Sequence, residues 1–490
     1  MSPYLALSIL FIYFAILIVI SIRTSKNADS ASFFLANKSA PWYLVAFGMI
    51  GTSISGVTFV SVPGKVGLEG FGYFQMVLGF VLGYLFIGTV LMPLYYRMNL
   101  VSIYQFFQTR FGFWSYKTGS AIFIISRTIG SAVRLYVAVS VLQMAIFGPI
   151  GIPFELTVIF TILLIWVYTF KGGVKTILIT DTLQTFFLIS ALITTILLLK
   201  SQMNWEITDV FTQIAQSDYS KIFHFDQGWG DKQNFWKLFI SGMFITIVMT
   251  GMDQDLMQKN LSCKNIGEAQ KNMMWFTVTL VLVNLLFLSL GAMLFMYANQ
   301  TGIQVPANSD EFYPMMALNV FNNPEFGLAG VLVGVTFLVG ITAATYASSD
   351  SALTALTTSF SIDFMNVQQK SEAETIKIKN RVHVGFSAVF VIVILIFHAL
   401  NSTDLITAIY KIASYTYGPL LGLFAYGIFT KRSVIDRAVP YICLASPALT
   451  YVLEQVIQKT TGYKFGFENL LLNGLITIIG LALFHKKDKQ

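Results

Sequence analysis

Charge is what this chain has least of. Asp, Glu, Lys and Arg make up 11% of its 490 residues, where a soluble domain carries about 25%. That shortage excludes an ordinary solvated surface. Cysteine is almost missing: Cys263 and Cys443 stand far apart with no metal spacing, so neither a disulfide framework nor a zinc motif is expected. Four scattered histidines support no metal cluster. The net charge of +7 is carried mostly by Lys and Arg in short loops, which is not the footprint of a nucleic-acid binder. No nucleophile–base constellation or cofactor motif stands out, so an enzyme is not expected.

What remains is apolar. Hydrophobic residues make up 55% of the chain and the mean hydropathy is +0.69. Apolar runs of roughly 20 residues, enough to cross a bilayer as a helix, recur along the whole length. Forty-four Phe and seven Trp suit lipid-facing surfaces and interfacial belts. The opening "MSPYLALSILFIYFAILIVISIR" lacks a basic lead and a small-residue cleavage site, so a retained first span is expected. The pattern predicts an all-α integral membrane protein of about thirteen helices. They fall near 4–22, 42–63, 72–96, 118–147, 152–170, 174–199, 235–258, 272–299, 325–360, 381–400, 403–429, 434–457 and 466–485.

Basic residues orient the spans. With the N-terminus outside, the cytoplasmic loops collect Arg23, Lys26, Lys38, Arg97, Arg110, Lys117, Lys171, Lys259, Lys264, Lys370, Lys377, Lys379, Lys431, Arg432 and the tail "HKKDK". The other face keeps Lys200, Lys221, Lys232, Lys459 and Lys464. This bias predicts an outside N-terminus and a cytoplasmic C-terminus in the plasma (inner) membrane. The loops at 200–234 and 300–324 then lie outside, and "QKSEAETIKIKNR" (369–381) is a solvated cytoplasmic connector.

Ionisable groups inside spans cost about 2.5–3.5 kcal/mol each on insertion scales, so each one needs a reason. Asp181 sits in "KGGVKTILITDTLQ", Asp253 and Asp255 in "TGMDQDLMQ", and Asp350 in "ATYASSDSALTALTTS". Arg127 and Arg134 share one face of the fourth helix, and Lys411 lies in the eleventh. Mutual neutralisation or snorkelling is the plain alternative, above all for Asp255 and Lys411. Asp350 is surrounded by Ser348, Ser349, Ser351, Thr354, Thr357 and Thr358. Such a line of hydroxyls ending in a carboxylate suits a hard cation such as Na⁺. The competing explanation is close helix packing, with hydroxyls bonding back to i−4 carbonyls.

"GTSISGVTFVSVPG" (51–64) puts three glycines, five hydroxyls and a proline in an apolar span. A broken helix frees backbone groups, and membranes tolerate that only where they line a cavity or bind something. Five spans on, "FITIVMTGMDQDLMQ" (244–258) is interrupted in the same way. Paired broken helices are a mark of inverted-repeat transporters, and the spacing fits repeats at roughly 42–199 and 235–429.

At these residues the chain resembles the sodium/solute symporter family, over about residues 4–485. The motifs are the broken helix, "YQFFQTRFG" (104–112), "KGGVKTILITDTLQ" (171–184), "DQDLMQKNLSCKN" (253–265), "SSDSALTALTTSFSIDF" (348–364) and "YGPLLGLF" (417–424). The resemblance implies a five-plus-five inverted repeat (LeuT-like) with one extra helix before it (4–22) and two after (434–485), in a single transmembrane domain. It implies a Na⁺ site from the carbonyls of Gly51, Ile54 and Ala344 and the hydroxyl of Ser348. Ala347 departs from the usual Ser. A second Na⁺ site of some members maps to Ala347, Asp350 and Ser351, with Asp181 nearby. Substrate-facing positions map to Thr52, Ser53, Ser55, Thr58 and Thr250. The first broken helix is most like the sialic acid branch, but the arginine that holds the carboxylate there maps to Gly130 and its glutamine to Val77. Arg127 and Arg134 lie three or four residues away.

The function implied is Na⁺-coupled symport of a small polar solute (a sugar, sugar acid or similar) into the cell by alternating access, by a protein that works as a monomer in lipid. Moving one charge through about 100 mV supplies about 2.3 kcal/mol, and a tenfold Na⁺ gradient adds about 1.4. Together they support accumulation of several hundred-fold per Na⁺. Proton coupling through Asp350 or Asp181 and a passive cation or solute channel are the alternatives.

Overall fold

The computed structural model describes residues 2–26, 29–170, 173–400 and 405–486, of which 405–408 as backbone alone. Among these residues the secondary structure is helical, with two isolated bridges and no β-strand. This follows from composition: in hydrocarbon, only a helix lets a single segment satisfy its own backbone.

The main helices are α1 (Pro3–Thr24), α2 (Trp42–Ser53), α3 (Gly56–Glu69), α4 (Tyr73–Arg97) and α5 (Phe113–Phe147). Next come α6 (Phe154–Thr169), α7 (Gly173–Gln202), α8 (Phe235–Gly251) and α9 (Gln254–Leu261). Then follow α10 (Ile266–Thr301), α11 (Pro324–Asp363), α12 (Glu372–Leu400), α13 (Leu405–Phe429), α14 (Val439–Thr461) and α15 (Asn469–Leu483). Caps mark several ends. Asn234 accepts from the Lys237 N–H to start α8, Asn265 does the same for α10 through Glu268, and left-handed Gly302 closes α10.

Among the described residues seven helices are long and apolar enough to cross a membrane, or up to nine if each bent pair counts as one span. The chain is a multi-pass membrane protein. The expected span at 42–63 is two helices, α2 and α3, bent by 61°, and that at 235–258 is α8 and α9, bent by 64°. Lys171, position 403 and the tail beyond Lys486 lie outside the described residues. Lys259 corrects an expectation: it is not a loop charge but sits in α9, 2% exposed.

Burial sorts the helices. Every residue of α11 from Phe337 to Ser359 is buried, so this helix runs through the middle of the bundle. Its most extensive neighbour is α7, while α8 lies along α4. That second contact is close because Gly242 meets backbone: a Cβ there would fall 2.2 Å from the Met76 carbonyl oxygen. Large apolar side chains face outward all round, among them Phe11, Ile125, Leu163, Leu282, Ile392 and Leu444. In water they would be a liability; against acyl chains they are the expected solvent contact.

Candidate functional site

The first break starts at Ile54, which leaves the helical region (φ −86°, ψ 88°), and Ser55 is extended. Gly51, Ser53, Ser55 and Gly56 are all weak helix formers, so little is lost by breaking here. The Ile54 N–H still reaches the Ile50 carbonyl at 2.8 Å. Beyond it, no backbone N–H among the described residues is donated to the carbonyls of Gly51, Thr52, Ser53 or Ile54. The second break is different. The Tyr95 hydroxyl donates to the Gly251 carbonyl at 2.8 Å, and Tyr104 donates to that of Met252 at 3.0 Å. Asp253 then caps α9 through the Asp255 N–H at 2.9 Å. One break is closed by the protein's own donors; the other presents free carbonyl oxygens.

Two glycines seat the first break on its neighbours. A Cβ on Gly51 would fall 2.6 Å from Thr185 Oγ1 of α7, and the Gly51 N–H donates to that same oxygen at 2.9 Å. A Cβ on Gly56 would fall 2.0 Å from Thr345 Oγ1 of α11. The start of α3 therefore lies on α11 one residue from Ala344. Ser348, one turn on, donates to the Thr345 carbonyl at 2.9 Å, while Thr345 Oγ1 and Ser349 Oγ are buried without a partner.

The ionisable residues form two clusters. Lys259 Nζ lies 2.5 Å from Asp181 Oδ2 and also bonds Thr52 Oγ1, which itself donates to Asp181 at 3.0 Å. Asp181 Oδ1 has no partner. In the second cluster Arg127 pairs with Asp255 and stands 3.7 Å from Asp253. Ser351 donates to Asp255, and the Tyr417 hydroxyl donates to Asp253 at 2.5 Å. Asp350 takes part in neither: it accepts from Tyr168 of α6 at 2.7 Å, and its other oxygen is unpartnered. Asp181, Asp350 and Ser351 thus have three different partners. Among the described residues no group of three or more His, Cys, Asp or Glu is arranged to hold a metal.

Between the broken helices lies a cavity of about 90 Å³. Thr52, Ser53, Thr58, Thr250, Arg127 and Arg134 all line it, together with Ile54; Ser55 does not, and is buried elsewhere. Ser53 Oγ has no hydrogen-bond partner. Arg134 makes no ion pair among the described residues, unlike Arg127. Asn284 of α10 adds an unpartnered carbonyl oxygen. A Cβ at Gly130 would meet nothing within 4 Å, which leaves room beside Arg134.

Lys259 and Asn284 are the residues that sequence reasoning missed. Each carried a signal. Lys259 follows two aspartates in a segment otherwise apolar enough to be buried, and Asn284 is a lone amide in "TLVLVNLLFL" (279–288).

A multi-helix bundle with two bent helices facing each other across a buried polar cavity is built as a membrane transporter, not as an enzyme. The chain belongs to the sodium:solute symporter family, whose model matches residues 33–438. It is 24% identical over 482 residues to the sodium/sialic acid symporter of Aliivibrio fischeri, covering 96% of this chain and 91% of that one. It is 25% identical over 434 residues to sodium-coupled monocarboxylate transporter 2 of Bos taurus, covering 85% and 68%. Among solved structures, a Na⁺-coupled sialic acid symporter in a substrate-bound outward-open state superposes with a TM-score of 0.81 at 22% identity, covering 98% of this chain and 99% of that one. Mhp1, a nucleobase-cation-symport-1 family transporter in a closed conformation, has the same fold in looser form, with a TM-score of 0.52 at 12% identity and coverage of 93% and 94%.

Proposed function

We propose that this protein is a Na⁺-coupled symporter of a small, polar, carboxylate-bearing solute, working by alternating access as a monomer in the plasma membrane. The observation that carries the Na⁺ reading is the asymmetry of the two breaks. A hard monovalent cation is bound by oxygen, and the free carbonyls of residues 51–54 are oxygens the protein does not satisfy by itself. The coupling site is then the Gly51, Ile54 and Ala344 carbonyls with the Ser348 hydroxyl. Asp350, Ser351 and Asp181 are the positions for a second Na⁺, which has to draw them from the three separate partners they hold here.

The bends at 61° and 64° open the two halves of a five-plus-five inverted repeat, 42–199 and 235–429. One helix (4–22) precedes it and two (434–485) follow, thirteen spans with the N-terminus outside and the C-terminus in the cytoplasm. Na⁺ joins the first break to α11 and holds the outward-facing arrangement. Solute then binds against Thr52, Ser53, Thr58 and Thr250, which line the cavity where Ser55 does not, and closure passes both to the other side.

Arg134 carries the choice of solute. Arg127 is neutralised by Asp253 and Asp255, whereas Arg134 faces the cavity without a counter-ion. A guanidinium in a low-dielectric cavity favours an anion and holds a carboxylate through two parallel bonds. A water needs about 10–15 Å³ by this measure, so about 90 Å³ takes roughly six to nine non-hydrogen atoms in this shape. A larger sugar acid requires the cavity to open.

The test is binding of labelled lactate and N-acetylneuraminate to purified protein in Na⁺ or K⁺. Na⁺-dependent binding of at least one is expected, and Arg134→Gln weakens it by about tenfold to a hundredfold. Binding that ignores Na⁺ but strengthens as the pH falls overturns the coupling ion. Unchanged affinity in Arg134→Gln overturns the carboxylate assignment.

A further inference from the structure

A second, larger chamber adjoins the cavity. Its volume is about 380 Å³, and Tyr73 and Tyr410 line both spaces, so these two side chains form the wall between them. Tyr410 is braced from behind by Phe467, with ring centroids 4.9 Å apart. One wall of the chamber comes from the C-terminal part of the chain, residues 454–469, beyond the stretch matched by the family model, and the rest from residues within that stretch.

Its charges are unevenly engaged. Glu454 accepts from Tyr415 and, at 2.9 Å, from Asn469. Glu468 accepts from Lys237 at 3.0 Å, from the Tyr463 hydroxyl at 2.6 Å and from the Gly466 N–H at 2.9 Å. Lys237 is 3% exposed and lies over the Tyr463 ring, so it clamps the 463–468 loop to the start of α8. Of the other lysines in the lining, Lys232, Lys411 and Lys464 form no ion pair among the described residues, and the carboxylates of Glu69 and Glu454 oppose them. Three acceptors stand without donors: Asn469 Oδ1, on a residue 2% exposed, Gln233 Oε1 and the second carboxylate oxygen of Glu468, Oε2. The chamber thus offers three cationic heads for an anion and two buried amide oxygens for hydroxyl or N–H donors.

We propose that this chamber is a second binding site, a weak and Na⁺-independent station for the same class of carboxylate-bearing, hydroxylated solute, held there before Tyr73 and Tyr410 part. It rests on the anionic-solute reading above. Physically the two sites differ in solvation. The lysines are exposed, so they attract from a distance and lose strength with salt. Arg134 is enclosed and is screened much less. The chamber also needs no cation, because the free carbonyls of the first break are not part of it.

Equilibrium binding of labelled N-acetylneuraminate and lactate to the full-length protein tests this. In choline chloride without Na⁺, wild type is expected to keep a weak component that falls several-fold between about 10 mM and 100 mM salt, as the screening length drops from about 30 Å to 10 Å. The variant K232Q/K411Q/K464Q loses that component and keeps the Na⁺-dependent one. The variant K200Q/K221Q/K459Q, which removes equal charge from residues that do not line the chamber, keeps both. A Na⁺-independent component that survives the first variant, or that both variants abolish alike, overturns the proposal, as does its absence from wild type. If Na⁺-dependent binding is missing while the chamber component behaves as described, the deep-cavity reading fails and the chamber stands. Absence of both overturns both.

Discussion

Ser348 and Lys259 are the residues whose replacement says most. Ser348 is the side-chain oxygen of the proposed Na⁺ site, set one turn from Thr345 by a 2.9 Å bond to its carbonyl. Losing one such oxygen is worth about 1.5 kcal/mol. Ser348→Ala is therefore expected to raise the half-saturating Na⁺ concentration about tenfold in solute uptake, with little change in thermal stability. An unshifted Na⁺ titration contradicts the assignment. Lys259 is a structural matter first. Removing its ammonium leaves Asp181 buried and uncompensated, which costs about 3–5 kcal/mol. Lys259→Met should lower the unfolding temperature in detergent, and Lys259→Met with Asp181→Asn should recover most of the loss. If the double variant is no better than the single one, the pair is not coupled as the 2.5 Å contact implies.

The broken helix is the element on which the reading turns. Its interruption was legible in "GTSISGVTFVSVPG", because glycine and hydroxyl residues are poor helix formers and no soluble loop explains them in an apolar run. The matching break in α8–α9 was legible from spacing. Their difference was not: Tyr95 and Tyr104 come from α4 and the loop after it, far away in sequence, and only folding brings their hydroxyls to Gly251 and Met252. Gly56 tests the seat of the first break. Gly56→Ala pushes a methyl into Thr345 Oγ1, so α3 must shift from α11 and Na⁺-dependent stabilisation of the purified protein should fall. Gly56→Ala with Thr345→Ala restores part of it by removing the clashing oxygen. No rescue would mean that the contact does not position the site.

At the scale of the whole molecule, charge decides the energetics. One Na⁺ carried with one monocarboxylate moves no net charge. The membrane potential then does no work, and a tenfold Na⁺ gradient supports about tenfold accumulation. A second Na⁺ restores about 2.3 kcal/mol per 100 mV. Uptake into proteoliposomes with a valinomycin-set potential is expected to be insensitive to that potential if the first-break site works alone. A clear response to voltage means that a second cation travels, and directs attention to Asp350 and Asp181.

Composition and order along the chain were enough to define a multi-pass helical protein, the interrupted spans and the face of hydroxyls around Asp350, because hydropathy and helix propensity are local properties. Which charges neutralise one another was decided only by tertiary structure. Arg127 and Arg134 look alike seven residues apart on one helix face, yet Asp253 and Asp255 of the second break reach Arg127 and leave Arg134 to the cavity. Lys259 looks like a loop charge until α9 turns inward at the bend and carries it to Asp181. Pairing in a low-dielectric interior depends on distances of a few ångströms between helices, and no local pattern contains those distances.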